Sequence, residues 1–420
     1  MALVVLTAGE FAARGPQRGL VGSGDFEMIY VASRTWMLGR NPYDLNALAE
    51  TRTESGSREK RPINSVYPPP TFVVMTPLAM VPYPAAKIAW LLVNVGLFVG
   101  LFLGLVSLAR FRFTEKRTAV LAICLFALAP IHTGFKVGQV ALATTTLIVL
   151  GLAATLNRRS ESPTANERDR GSQVLGGVLL GVATALKPQM GGVFIAYLLY
   201  RRRWKAVTAA CATTAVMATL AVTQMQVRGF DWLADFHRNV HDFTVGGAGD
   251  PTAANPYHWQ LINLHHPLHT MIDDPTTVRL IVWAVGIVAA GVALGSTVRK
   301  QPHQRELALL STLAVLTLVV IFHRVYDAVL LVLPLAWCIG RLSERRDCFG
   351  WVVALLLLPF AISGPAALNA LVNKYEVIPP QIAEAWWWHT LVMPHHAWVL
   401  GALAAVLAYA LWSTRSTPMR

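Results

Sequence analysis

The sequence predicts an all-α polytopic membrane protein, and three observations carry that prediction. Of 420 residues, 54% are hydrophobic and only 14% are charged, with mean hydropathy +0.47; a soluble chain carries roughly a quarter charged residues. Apolar runs of membrane-spanning length recur from residue 84 to the C-terminal region. Lys and Arg then fall on alternate turns between those runs.

The runs come first. A spanning helix needs about 20 apolar residues, and about 17 is the practical minimum outside a bundle. Candidate spans are 84–109, 118–133, 138–156, 173–186, 190–200, 205–222, 277–298, 306–322, 326–341, 349–366 and 396–413. The pieces 173–186 and 190–200 are short, with Lys187 and Pro188 at the break, and they read as a tight hairpin or a broken helix shielded by neighbours. "MALVVLTAGEF" reads as the second half of a further helix, as a start site set too late would leave it. The expectation is a single integral-membrane domain, 1–420, with about 11–12 spans. No basic n-region or small-residue cleavage site marks a signal peptide.

The charges set the orientation. Arg110, Arg112, Lys116, Arg117, Arg158, Arg159, Arg168, Arg170, Arg201, Arg202, Arg203 and Lys205 lie on one set of turns. Arg299, Lys300, Arg305, Arg341, Arg345, Arg346, Arg415 and Arg420 continue it. The intervening short turns hold one cation each: Lys136, Lys187 and Arg324. By the positive-inside rule the first set is cytoplasmic and the second faces outward. The net charge of +13 is therefore a topology signal. No basic-aromatic face exists, so no nucleic acid partner is expected. Cys124, Cys211, Cys338 and Cys348 lack metal or redox spacing, so no disulfide framework is expected.

With sidedness assigned, the long loops 20–83, 223–276 and 367–395 also lie outside. Asp25, Tyr43, Asp44, Tyr67, Lys136, Gln139, Lys187, His323, Arg324, Tyr326 and Asp327 then all belong to one membrane face. "RTESGSREKRP" (52–62) and "NRRSESPTANERDR" (157–170) read as polar, mobile tracts.

Asp25, in "GDF", stands at the outer membrane boundary. An acid there can act as general base on an incoming hydroxyl, or it can simply cap the helix starting at "FEMIYVASRTWML". Glu27 falls on another helix face and reads as solvated. "GRNPYD" (39–44) is a turn signal, and Asp44 can cap the next segment. "SVYPPPTFVVMTPLAMVP" (65–82) cannot be one continuous helix because of its prolines. It reads as a re-entrant or interfacial element, or as a surface loop. Lys136, Lys187, His323 and Arg324 oppose the topology rule, so a lipid phosphate is one partner that compensates them; snorkelling to ordinary headgroups is the other reading.

His237 and His241 share a helix face, His265–His266 and His395–His396 are doublets, and His389 follows three tryptophans. None makes a metal frame, so no metal is expected. Segment 229–243 reads as an interfacial amphipathic helix. Trp386, Trp387, Trp388 and Trp398 read as an outer aromatic belt. Gly177 and Gly181 form a helix-packing pair.

These pieces, in this order, resemble the GT-C membrane glycosyltransferases, and most closely glycosyltransferase family 87, which includes mycobacterial polyprenol-phosphate-mannose-dependent mannosyltransferases. The matching stretches are "GDFEMIYVASRTWMLGRNPYD", "YPPPTFVVMTPLAMVP", "KVGQVALATTTLIVLGL", "GVLLGVATALKPQMGGVFIAYLLYRRRWKA" and "HRVYDAVLLVLPLAW", from about residue 22 to 342. The resemblance implies a GT-C type bundle in which the first outer loop carries the catalytic acid, a role that falls on Asp25. It implies an inverting hexosyltransferase that takes a sugar, mannose favoured, from a polyprenyl-phosphate donor. The acceptor is a glycolipid or glycan hydroxyl outside the bacterial cytoplasmic membrane. Lys187, His323, Arg324 and Lys136 are then the phosphate cations, with Lys187 and His323 foremost. Tyr326 and Asp327, with Tyr43, Asp44, Tyr67 and Gln139, are substrate contacts. Membrane lipids are the surroundings, and no cofactor or DxD metal frame is required. The competing readings are a transporter, which should show repeats and midplane charges, and an inactive lipid-binding scaffold.

Overall fold

The computed structural model describes residues 2–22, 24–57, 63–156, 165–252, 254–295, 303–342 and 348–413, save the side chains of 2–4 and 165–170. Among these residues the regular structure is helical, apart from an isolated antiparallel bridge between Leu261 and Arg324. Six helices are long and apolar enough to cross a membrane: Tyr83–Ala109, Trp204–Val227, Pro275–Gly295, His303–Val320, Val325–Leu342 and His395–Ser413. The number is eight when each of two bent pairs, Lys116–Ala127 with Ala129–Val137 and Cys348–Ala361 with Gly364–Asn373, counts as one span.

That is fewer than the eleven runs of the sequence, and the reason is length. Ala141–Leu156 has 16 residues, nearly all of them buried, and Pro188–Tyr200 has 13. Both pack with Ala165–Leu186, so they rely on neighbours rather than on their own reach. Pro359 and Pro365 break the run 349–366 into the helix Cys348–Leu357, a tight turn Leu358–Ala361 and the helix Gly364–Asn373. A proline cannot donate to the preceding turn, so each interrupts the ladder.

The described basic residues sit at helix ends. Arg110 and Arg202 follow helices with φ of 57° and 54°, Lys116 and Arg203 precede or open them, and Arg341 closes one. Arg158, Arg159, Arg299, Lys300, Arg345, Arg346, Arg415 and Arg420 lie outside the described residues, as does 157–164 of the second polar tract.

The described chain falls into two compact units. The first comprises Met1–Leu108 and Ile131–Phe243. Its N-terminal helix Ala2–Arg14 is anchored by Phe11, which stacks on Phe98 at 4.9 Å and meets Phe135 edge-on at 5.2 Å. The helix Gly24–Met37 is buried on most sides, with Phe26, Ile29, Tyr30, Val31, Ala32 and Trp36 in the core. Against it lies the short helix Pro70–Ala79, with Thr71, Phe72, Met75 and Ala79 turned inward. Tyr30 and Arg34 donate to the carbonyls of Val81 and Ala79, each at 2.8 Å. They satisfy acceptors that a helix end leaves open. The proline-rich element is therefore a helix docked on protein along one face, not a plain surface loop.

Gly177 and Gly181 face Ala206 and Ala210 across the contact between Ala165–Leu186 and Trp204–Val227; a Cβ on Gly181 would meet the Ala210 carbonyl at 2.7 Å. Only a residue without a side chain admits that approach. The amphipathic helix reading of 229–243 is met by Trp232–Thr244, but its inner face is not a lipid face alone. Trp232 and Phe236 pack against Tyr43, Asn239 donates to the carbonyls of Tyr43 and Ser65 at 3.0 and 3.2 Å, and Asn41 donates to Asp235 at 2.7 Å.

The second unit comprises Ala109–Pro130 and Thr244–Arg420. His303–Val320 and Val332–Leu342 are its buried centre, whereas Pro275–Gly295 exposes Leu280, Trp283, Ile287 and Val288. An apolar outer surface of that kind is what hydrocarbon solvates. Of the tryptophans read as an outer belt, Trp386 and Trp387 are exposed, Trp398 is half-buried with its Nε1 donating to the Thr390 carbonyl at 2.7 Å, and Trp388 is buried, which removes it from such a belt. Trp388 opens the π-type turn Trp388–Val392, in which Thr390 is buried as well.

Candidate active site

Asp25 lies in the first turn of Gly24–Met37, where carboxylates are favoured by the open N–H groups of the helix start. It is half-buried. Its Oδ2 accepts a hydrogen bond from Gln139 Nε2 at 2.9 Å, and Gln139 is in turn fixed because its Oε1 accepts from the Val140 N–H at 2.8 Å. The same Nε2 lies 3.5 Å from the Tyr67 hydroxyl. Sequence positions 25, 67 and 139 are thus one group of side chains in the first unit.

Beneath it the first loop is held by its own residues. The Asn41 side chain accepts from the Tyr43 N–H at 3.1 Å, closing the Asn-Pro-Tyr-Asp turn. Asp44 caps Leu45–Glu54, its Oδ1 accepting from Ala47 N at 2.8 Å. Tyr43 is buried and donates to the Tyr67 carbonyl at 2.8 Å; burial pushes its phenol well above the ordinary value, so it stays a donor. Tyr43 and Asp44 therefore build the loop that carries Tyr67.

Glu27 corrects the sequence reading. It is not solvated but buried. Arg52 grips it through two hydrogen bonds, Nε to Oε1 at 3.1 Å and Nη2 to Oε2 at 3.2 Å, and Ser57 donates to Oε1 as well. Residues 52–57 of the tract expected to be mobile are accordingly tied down, with Arg40 paired to Glu54 at 2.9 Å; 58–62 lie outside the described residues. Two residues along a helix are turned by about 200°. Asp25 therefore faces Gln139 while Glu27 faces Arg52. The signal that could have found this was an acid on Gly24–Met37 and a base on the next helix.

The cations differ in setting. Lys187 is buried at the break between Ala165–Leu186 and Pro188–Tyr200. That break is packed tightly, since Thr71 donates to the Ala185 carbonyl at 2.9 Å and Gly191 sits against Thr184. Lys136 is exposed in the last turn of Ala129–Val137. In the second unit, His323 is fully buried, with Nδ1 3.1 Å from Asp327 Oδ2, and that carboxylate oxygen also accepts from the Arg324 N–H at 3.3 Å. The His323 carbonyl accepts from Ile262 N at 3.1 Å. Tyr326 and Arg324 are half-buried.

The histidines divide. His237 and His241 are exposed; His258 and His266 meet edge-on at 4.9 Å. Among the described residues, no group of three or more His, Cys, Asp or Glu side chains is arranged to hold a metal.

Known proteins are similar to this chain to differing degrees. The model of glycosyltransferase family 87 matches residues 66–323. A polyprenol-phosphate-mannose-dependent alpha-(1-2)-phosphatidylinositol mannoside mannosyltransferase of Mycobacterium tuberculosis is 27% identical over 420 aligned residues, covering 94% of this chain and 86% of that protein. Among solved structures, ArnT from Cupriavidus metallidurans bound to undecaprenyl phosphate is 15% identical with a TM-score of 0.43, covering 99% of this chain and 76% of that one. Its apo form is 16% identical with a TM-score of 0.35, covering 82% and 64%.

Proposed function

Because the chain belongs to glycosyltransferase family 87, we propose that it moves a sugar, mannose before others, from a polyprenyl-phosphate donor to a hydroxyl of a glycolipid or glycan acceptor at the outer face of the membrane. The observation that carries this reading is the setting of Asp25, half-buried, with one carboxylate oxygen held by Gln139 at 2.9 Å. The M. tuberculosis relative, named for polyprenol-phosphate-mannose dependence, supports the donor and the sugar.

The reaction is inverting. The acceptor oxygen attacks the anomeric carbon, Asp25 takes the hydroxyl proton, and the bond from that carbon to the phosphate oxygen breaks. The phosphate leaves with the electron pair. Charge that develops on the leaving group is stabilised by fixed cations in a water-poor setting. Lys187 suits that task by its burial, and Lys136 supplies a second, exposed cation. Tyr67 and Gln139 border the sugar. Tyr43 and Asp44 shape the loop. His323, Arg324, Tyr326 and Asp327 belong to the second unit, where Asp327 Oδ2 lies 3.1 Å from His323 Nδ1.

The test is transfer by purified protein in nanodiscs, with a panel of polyprenyl-phosphate sugars and membrane acceptors. Wild type should transfer from one donor, and Asp25→Asn should lose on the order of 10²–10⁴-fold, the range of general-base loss. Undiminished transfer by the variant would refute the role of Asp25.

A further inference from the structure

A cavity of about 660 Å³ opens in the second unit, lined by none of the residues assigned above, where His258 and Trp259 face Asn369, Asn373, Glu376 and Glu384. Its size lies within the roughly 300–1,000 Å³ of ligand sites. It is built from the two long loops 223–276 and 367–395, which the charge pattern places outside.

The lining decides the class of ligand. It offers two carboxylates, two amides, two imidazoles and the indoles of Trp259 and the buried Trp388, and no Lys or Arg is among the described residues that line it. A phosphate would meet Glu376 and Glu384 without a countercharge. A purely apolar ligand would strip water from the amides and carboxylates and return nothing. A neutral polyhydroxylated ligand meets neither cost. Its hydroxyls donate to carboxylates and pair both ways with amides, while the C–H face of a pyranose lies on the Trp259 indole.

We infer that this cavity binds the neutral sugar portion of the acceptor, holding a glycan rather than the donor headgroup. The inference rests on the glycosyltransferase reading for what the sugar is used for, but not for the binding itself.

The experiment is calorimetric titration of the full chain in nanodiscs with a panel of neutral oligosaccharides, mannobiose and mannotriose included, and with mannose 1-phosphate as the anionic control. At least one neutral oligosaccharide should bind saturably and the sugar phosphate should not compete. Glu384→Gln should weaken binding by about tenfold, as loss of a charged hydrogen bond does, and Trp259→Ala by a similar factor through the lost aromatic face; each should raise the acceptor KM in proportion while the donor KM stays within about twofold. Glu384→Gln, at an exposed position, keeps the test open if Trp259→Ala fails to fold. Binding unchanged in both variants, competition by mannose 1-phosphate, or no binding across the panel would overturn the inference. Transfer with an unaltered acceptor KM in both variants would overturn the cavity alone. Oligosaccharide binding lost in the variants, with no transfer from any donor by wild type, would overturn the transferase reading and leave the cavity as a sugar site.

Discussion

Gln139 donates to Asp25 across 114 residues of sequence, at 2.9 Å, while its own carbonyl oxygen is pinned by the Val140 N–H. The amide can therefore present only its NH₂ to the carboxylate, and it fixes which way Asp25 points. Gln139→Ala should lower kcat/KM by about tenfold, the scale of one hydrogen bond to a charged group, and, because the side chain is buried and holds the Val140 N–H, should also cost about 1–3 kcal/mol of stability. Gln139→Glu should cost more, because a second carboxylate at this distance repels the first and raises the proton affinity of the pair. Steady-state transfer assays on both variants decide it; equal activity in Ala, Glu and wild type would remove Gln139 from the site.

Glu27 and Arg52 form a different kind of contact. Both lie deep, with side chains 2% and 13% exposed, and removing either leaves the other without its partner in a dry place. Glu27→Ala and Arg52→Ala should each destabilise by about 3–5 kcal/mol, and the double variant by much less than their sum. Arg52→Lys should rescue poorly, since an ammonium cannot span both oxygens. Thermal unfolding of the four variants in detergent checks this, and additive losses would show that the pair does not act as a pair.

The contrast between these two acids shows what a sequence discloses. That Asp25 opens a helix just after the first apolar segment was legible from Gly-Asp before an apolar run, but its contact with Gln139, 114 residues on, was not. The break at Pro188 was legible from its missing N–H, whereas 349–366 read as one apolar span although Pro359 and Pro365 interrupt it by the same physics. The setting of Glu27 was not legible, because whether a carboxylate is solvated depends on a guanidinium 25 residues away and on a serine in a tract that reads as loose. Trp388 was not legible either: it is buried while its neighbours Trp386 and Trp387 are exposed, and a run of like residues does not say which of them turns inward. Tyr43 and Asp44 read correctly as a turn, and only the structure shows the turn carrying Tyr67.

The glycine pair carries a stability prediction. Gly181 faces the Ala210 carbonyl so closely that even a methyl group would meet it at 2.7 Å, and that neighbour is backbone, which cannot rotate away. Gly181→Val should destabilise by about 1–3 kcal/mol through forced separation of the two helices, and Gly181→Ala by less. Gly171→Ala, where a Cβ would find open space, should be neutral or stabilising, since alanine favours the helix by about 1 kcal/mol over glycine. Thermal midpoints measured side by side test the assignment; equal losses at 171 and 181 would contradict it.

His266 should make the second unit acid-sensitive. Burial holds its pKa down to about 3, with nearby His258 adding to the depression. In the unfolded chain an imidazole titrates near about 6.5. Between those values the unfolded state binds more protons than the folded one, so stability falls as pH falls. It is fully present above about 6.5 and declines progressively towards about 3. His258 and His269 are lowered as well, mainly by burial, and act in the same direction. Asp250, which accepts from Thr252 and from the Gly246 N–H, is held below its ordinary value against the effect of burial, so its own loss begins only at lower pH. Thermal midpoints should therefore be flat from about pH 8 to 7 and drop from about 6.5 to 5. His266→Leu should shallow that slope without abolishing it, because His258 and His269 remain. A slope identical to wild type would mean that His266 takes up its proton in the folded protein, and that burial does not govern it.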